Sequence, residues 1–272
     1  MKKTSIWASL ASILVFALPM TTVAQDDEAA ADDAPAPLSD VWMIVPKAGM
    51  EAEFNEAMAA HMQFRKDAGE SRDWQAYRVE VGHEMRPIQY RSCCYVWADL
   101  DAHDAENTEL GLGANFNENV GPYTDHVHHY IERSDWEHSH WPETGTSGPY
   151  YGVTSWEAKQ QGLATSGDAR RKMSKLGKDE GFASDDNNWL WLFREAGGAA
   201  VTMVVSSYED YADMEPPEQS FYEFIVEQLG EVDAAELFED FSGAYKSSDY
   251  TIWRLDESLS TPADADDGEA EE

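Results

Sequence analysis

Basic side chains are scarce in this 272-residue chain: 19 Lys and Arg stand against 53 Asp and Glu, a formal charge of −34. Such a surface repels nucleic acid and anionic lipid and offers no basic stripe to follow a phosphate backbone, so nucleic-acid binding is excluded. It favours solubility, and its self-repulsion weakens as salt rises. Cysteine is nearly absent too. The two that occur, Cys93 and Cys94, are adjacent. Neighbours on a strand point to opposite faces, so they read as two thiols with at least one buried, and they lack the spacer of a thioredoxin-like motif. Also missing are a Gly-x-Ser-x-Gly elbow, a phosphate loop, a dinucleotide fingerprint and a His-Glu-x-x-His helix.

Long apolar runs are absent as well. The run from Ile6 to Met20 is short for a bilayer span and has no basic stop signal behind it. It follows Met1-Lys2-Lys3 and precedes Thr22-Val23-Ala24, the pattern of an export signal cleaved after Ala24. The expectation is an exported protein, periplasmic or extracellular, with no stable membrane insertion once the signal is gone. Residues 25–38 and the acidic tail 258–272 have almost nothing to bury and read as disordered.

What is present between them suits one large or two small domains. The stretch 88–97, Ile-Gln-Tyr-Arg-Ser-Cys-Cys-Tyr-Val-Trp, is dense in β-formers and reads as an inner antiparallel strand. Before it lie a strand at Val41–Val45, a helix at Met50–Lys66 and a strand at Trp74–Val81. On the helix, Phe54, Met58, His61, Met62 and Arg65 recur at helical spacing. On Trp74–Val81, the set Gln75, Tyr77, Val79, Val81 is expected to face the core. A helical region from Ala102 to Asn119, interrupted at Gly111 and Gly113, leads to a closing strand at Thr124–Glu132. After a connector, 135–149, the order recurs. Strands at Tyr150–Trp156, Trp189–Arg194, Ala199–Ser206 and Tyr250–Leu255 alternate with helices at 168–178, 217–229 and 234–245.

Each half, 39–134 and 150–257, therefore reads β-α-β-β-α-β, an α+β arrangement of four antiparallel strands with helices on one face. The other face is also apolar and cannot stay wet. The expected architecture is two ferredoxin-like units packed sheet to sheet within a monomer, an internal pseudo-dimer. Trp42, Trp97, Trp189, Trp191 and Trp253 are expected to fill the interface between the sheets.

Pro46-Lys47-Ala48-Gly49 running into Met50-Glu51-Ala52-Glu53-Phe54 resembles the first strand and helix of the antibiotic-biosynthesis monooxygenase-like domains, in the dimeric α/β-barrel superfamily. Trp74 to Gly82 is similar to their second strand, and Tyr130–Arg133 and Tyr250–Leu255 are similar to their last. The resemblance implies a tandem pair forming an α/β barrel, with a ligand cavity between helices and sheet. Members include cofactor-free oxygenases, haem-degrading and haem peroxidase-like enzymes, and proteins without known activity.

All eight histidines lie between His61 and His140, so any histidine chemistry belongs to the first unit and the connector. His61 sits beside the apolar stripe of its helix, either as a partly buried structural histidine or as a proton acceptor. On the last strand of the unit, His126, His128 and Tyr130 share one face and Val127, His129 and Ile131 the other. His126 and His128, with His61, could hold zinc, copper or ferrous iron; equally, they could be solvated imidazoles. A haem would take one histidine as axial ligand, with Trp97, Tyr77 or Met62 against it. A cofactor-free oxygenase would draw on His61, Tyr77, Trp97 and Asn117. No cofactor is specified. Three readings stand side by side: a small-molecule-binding or oxygenase-like domain for an apolar or aromatic molecule, a non-catalytic structural or binding protein, and a His-based metal binder.

Overall fold

Val41, Trp42, Met43, Ile44 and Val45 are all apolar, so the strand they form must be covered on both faces. The computed structural model, which describes residues 35–142, 148–184 and 186–263, satisfies that demand. Strand β1 (Leu38–Pro46) runs between β3 (Ile88–Tyr95) and β4 (Thr124–Ser134), antiparallel to both. Strand β2 (Gln75–Val81) flanks β3. Over one face of this sheet lie α1 (Glu51–Asp67), α2 (Trp97–Glu109) and α3 (Leu112–Asn119), the last two separated by Gly111 in a left-handed turn.

The second unit repeats the order with β5 (Tyr150–Ala158), α4 (Leu163–Asp179), β6 (Leu190–Ala196), β7 (Val201–Tyr208), α5 (Phe221–Leu229), α6 (Glu231–Ser242) and β8 (Tyr245–Leu255). In both units the first strand lies between the third and the fourth, which is the ferredoxin-like arrangement.

The sheets do more than face each other. β2 pairs with β8 and β4 pairs with β6, both antiparallel, so the eight strands close in the cyclic order β1-β3-β2-β8-β5-β7-β6-β4. Sheet-to-sheet packing gives way to edge-to-edge joining because each unit otherwise leaves two strand edges unpaired. The inner faces then surround a lumen instead of interdigitating. Of the tryptophans expected between the sheets, Trp253 lines the lumen. Trp42 and Trp191 pack outward under the helices, Trp189 joins the second unit's aromatic core, and Trp97 is exposed.

Core residues form three groups. Ile44, Phe54, Met58, Met62, Trp74, Ala76, Ile88 and Tyr90 fill the space under α1. Trp191, Phe224, Ile225, Leu237 and Phe241 fill that of the second unit. Tyr77, Tyr151, Leu190, Leu192, Met203 and Val205 lie inside the barrel. The segment from Trp74 through β2 therefore buries both faces: Trp74 and Ala76 face the helices and Tyr77 the lumen, whereas Val81, expected in the core, is half exposed.

Three further expectations are corrected. The strand 88–97 ends at Tyr95, because the Asp99 carboxylate accepts from the Val96 amide at 2.8 Å and starts α2 there. Cys93 and Cys94 are not free thiols; they are disulfide-bonded across a cis peptide that brings their Cα atoms to 3.1 Å. Both segments read as disordered contribute residues to the ordered fold. Leu38 is buried in β1, while Leu259 is buried and the Ser260 and Thr261 hydroxyls accept from the Ala76 and Trp74 amides at 3.0 and 2.8 Å. The export segment, the stretch up to residue 34 and the tail from 264 lie outside the described residues.

Candidate functional site

A cavity of about 400 Å³ lies between the helices and the sheet of the first unit. Its floor comes from β1 and β4, whose side chains alternate between the two faces of the sheet. Asp40, Trp42 and Ile44 therefore point to it from β1, and Val127, His129 and Ile131 from β4. Met58, His61, Met62 and Arg65 descend from α1, one turn apart on its inner stripe, and His103, Phe116 and Asn117 close it from α2 and α3. The corresponding space in the second unit is packed with Trp156, Trp191, Phe224 and Phe241.

The wall carries a chain of charged groups. Glu70, its side chain 1% exposed, accepts from Arg65 at 2.5 Å, from Arg72 at 3.1 Å and from the Trp74 indole at 3.2 Å. Arg72 also donates to Asp40 at 3.0 Å. The other Asp40 oxygen takes a 2.7 Å bond from His129 Nε2, and the His129 ring stacks on Trp42 with centroids 4.1 Å apart. Both guanidinium groups lie over the Trp74 ring, at 5.2 and 4.8 Å. Two cations and two carboxylates thus alternate, which is what makes their burial tolerable.

His61 is buried, and both its nitrogens are engaged. Arg65 can only donate, so its 3.3 Å contact makes Nε2 an acceptor, and Nδ1–H then donates to Asn115 at 2.8 Å. Burial and the Arg65 charge hold its pKa below the ordinary histidine value. His129 differs: with Nε2–H bound to Asp40, Nδ1 is left as the ring's acceptor.

Of the four residues grouped as an oxygenase site, the structure brings two together, His61 and Asn117. Tyr77 is on the opposite face of the sheet, donating to Gln75 at 2.7 Å inside the lumen, because odd-numbered residues of β2 point inward. Trp97 opens α2 and is 57% exposed. Of Trp97, Tyr77 and Met62, grouped around a haem, only Met62 reaches the cavity, and both His61 nitrogens are engaged. His126 and His128 are exposed, with ring centroids 5.2 Å apart. Among the described residues no group of three or more His, Cys, Asp and Glu is arranged to hold a metal ion. Sequence reasoning missed Asp40, Glu70, Arg72 and His129 as site residues. The signal for His129 was its alternation with Val127 and Ile131.

No protein family profile and no curated protein matches the chain. Solved structures do. An anthrone oxidase-like protein aligns over 84% of this chain and 95% of its own, with 12% identity and a TM-score of 0.49. A provisionally assigned monooxygenase from Lactobacillus acidophilus aligns over 81% and 94%, with 11% identity and a TM-score of 0.47. A chlorite dismutase variant from Candidatus Nitrospira defluvii aligns over 82% and 92%, with 8% identity and a TM-score of 0.45. The likenesses concern chain path alone. The superfamily-level fold rests on the strand order and connectivity described above.

Proposed function

We propose that the first-unit cavity binds a small, flat, hydroxylated aromatic molecule and that the chain is an oxygenase-like enzyme. The observation that carries this reading is the Asp40–His129 pair on the wall of a cavity that also holds the Trp42, Trp74 and Phe116 rings. Trp42, Trp74 and Phe116 supply flat apolar surface. A substrate O–H facing His129 would pass its proton to Nδ1, and Asp40 would stabilise the imidazolium that forms. The electron-rich anion left behind is the species that reacts with dioxygen. His61, pinned between Asn115 and Arg65, is a positioning residue. The repeated connectivity supports a tandem duplication, and the N-terminal pattern supports an exported protein.

The test is titration of the purified protein with 2-naphthol, followed by tryptophan fluorescence and oxygen uptake. Saturable quenching is expected in wild type and in His129→Gln, with oxygen uptake lost in the variant. Absence of saturable binding overturns the cavity assignment. Binding without oxygen uptake in wild type leaves a non-catalytic binding protein.

A further inference from the structure

The lumen of the barrel is a second cavity, about 700 Å³ in volume, on the face of the sheet away from the site above. An eight-stranded barrel is just wide enough for side chains to fill or for one small ligand. Here the filling is incomplete. Tyr151, Leu190, Leu192, Met203 and Val205 line one part as apolar wall.

Another part carries Arg91 of β3, Glu132 of β4 and Arg194 of β6. Glu132 and Arg194 are partners across the β4–β6 seam. Glu132 is 4% exposed, and burial pushes its carboxyl above the ordinary range even with two arginines near. Arg91 Nε and Nη2 and Arg194 Nε are buried without a hydrogen-bond partner among the described residues. The Trp136 indole N–H, which also lines the lumen, is in the same condition. Of the other carboxylates lining the lumen, Glu157 pairs with Lys246 at 2.7 Å, and Asp249 lies half exposed, 3.4 Å from the exposed His83. Arg194 is steadied by the Tyr130 ring, 3.9 Å from its guanidinium carbon.

Buried guanidinium N–H groups left unpaired are costly, and buried polar groups are otherwise nearly always satisfied. Two cations beside one carboxylate also leave the cluster one negative charge short. We infer that the lumen is a binding site for a monoanionic amphiphile, an organic acid whose carboxylate is held by Arg91 and Arg194 and whose apolar body lies along Tyr151, Leu190, Leu192 and Met203. A guanidinium pairs with a carboxylate through two parallel N–H bonds, which suits the donors that are idle here. A dianion fits less well, because the carboxyl of Glu132 already faces the same pair. The site is independent of the cavity under α1, and neither assignment depends on the other.

The test uses the full chain and calorimetric titration with 1-naphthaleneacetate and with its neutral amide. The acid is expected to bind one per chain, and the amide about tenfold or more weaker, the scale of a charge-assisted pair. Arg91→Gln and Arg194→Gln are each expected to weaken the acid by about tenfold, and Glu132→Gln to tighten it, since a competing carboxylate is removed. Should an arginine variant fail to fold, Leu192→Trp, which fills the apolar part, must also abolish binding. Equal binding of acid and amide, unchanged affinity in both arginine variants, or no binding of the acid overturns the proposal.

Discussion

A Cβ on Gly197 would collide with the backbone carbonyl oxygen of His129. The hairpin between β6 and β7 thus rests directly on β4, the strand that carries His129, with Gly197 at φ +101° in a region that favours glycine. Gly197→Ala must strain the turn and push β4 away. The expected loss is about 1–3 kcal/mol, read as a lower urea midpoint, together with weaker binding of a ligand under α1.

Glu70 is the shared acceptor of two buried guanidinium groups. Glu70→Ala leaves Arg65 without its carboxylate and Arg72 with Asp40 alone. Breaking a buried network from one side costs about 3–5 kcal/mol. The expected result is a large drop in urea stability, and Glu70→Gln, which keeps the acceptor oxygen, recovers part of it.

Asp40→Asn removes the charge that orients His129 while leaving the side chain's size intact. Under the proposed chemistry, turnover falls by about a hundredfold or more while binding of the aromatic ligand changes little. A parallel loss of binding and turnover would instead assign Asp40 to holding the cavity in shape through Arg72.

Two buried groups give stability opposite dependences on pH. His61 has its folded pKa below the ordinary 6.5, so the unfolded chain binds the extra proton first. Its contribution is complete above 6.5 and is lost as pH falls from there toward the folded value. Glu132 has its folded pKa above the ordinary 4.5. Its contribution is present at low pH and is lost as pH rises from 4.5 through the folded value. Urea unfolding across pH 4–8 of His61→Gln and Glu132→Gln, each compared with wild type, checks the two signs separately.

With a net charge of −34, the folded chain repels itself. Its melting temperature is expected to rise with sodium chloride from about 10 mM to 1 M, over which the screening length falls roughly tenfold. A flat response would mean that the carboxylates are already neutralised by bound cations.

Much of the fold was legible because its signals are local. The stripe Phe54, Met58, Met62 specified α1, and Gly111 broke the second helical stretch. Period-2 alternation also sorted Val127, His129 and Ile131 from His126, His128 and Tyr130. What alternation could not reveal was which face met the helices and which met the lumen, so Tyr77 was grouped with His61 across a sheet that separates them. Trp97 was misplaced because Val96-Trp97 favour a strand by propensity, while the Asp99 cap overrides it. Arg72 and Glu70 come from a loop after α1, where no periodicity exists to read, and their roles depend on partners such as Asp40, 32 residues away.

The two seams that tie β2 to β8 and β4 to β6 also have a bearing on stoichiometry. In an assembly of two identical chains, every feature of one half would be imposed on the other, so a charged, histidine-lined recess would come in duplicate. Here a single polypeptide makes both halves, and one has an opening where its counterpart is packed with aromatic rings. Occupancy under the helices should therefore saturate at one molecule per chain, without the cooperativity that twin recesses permit.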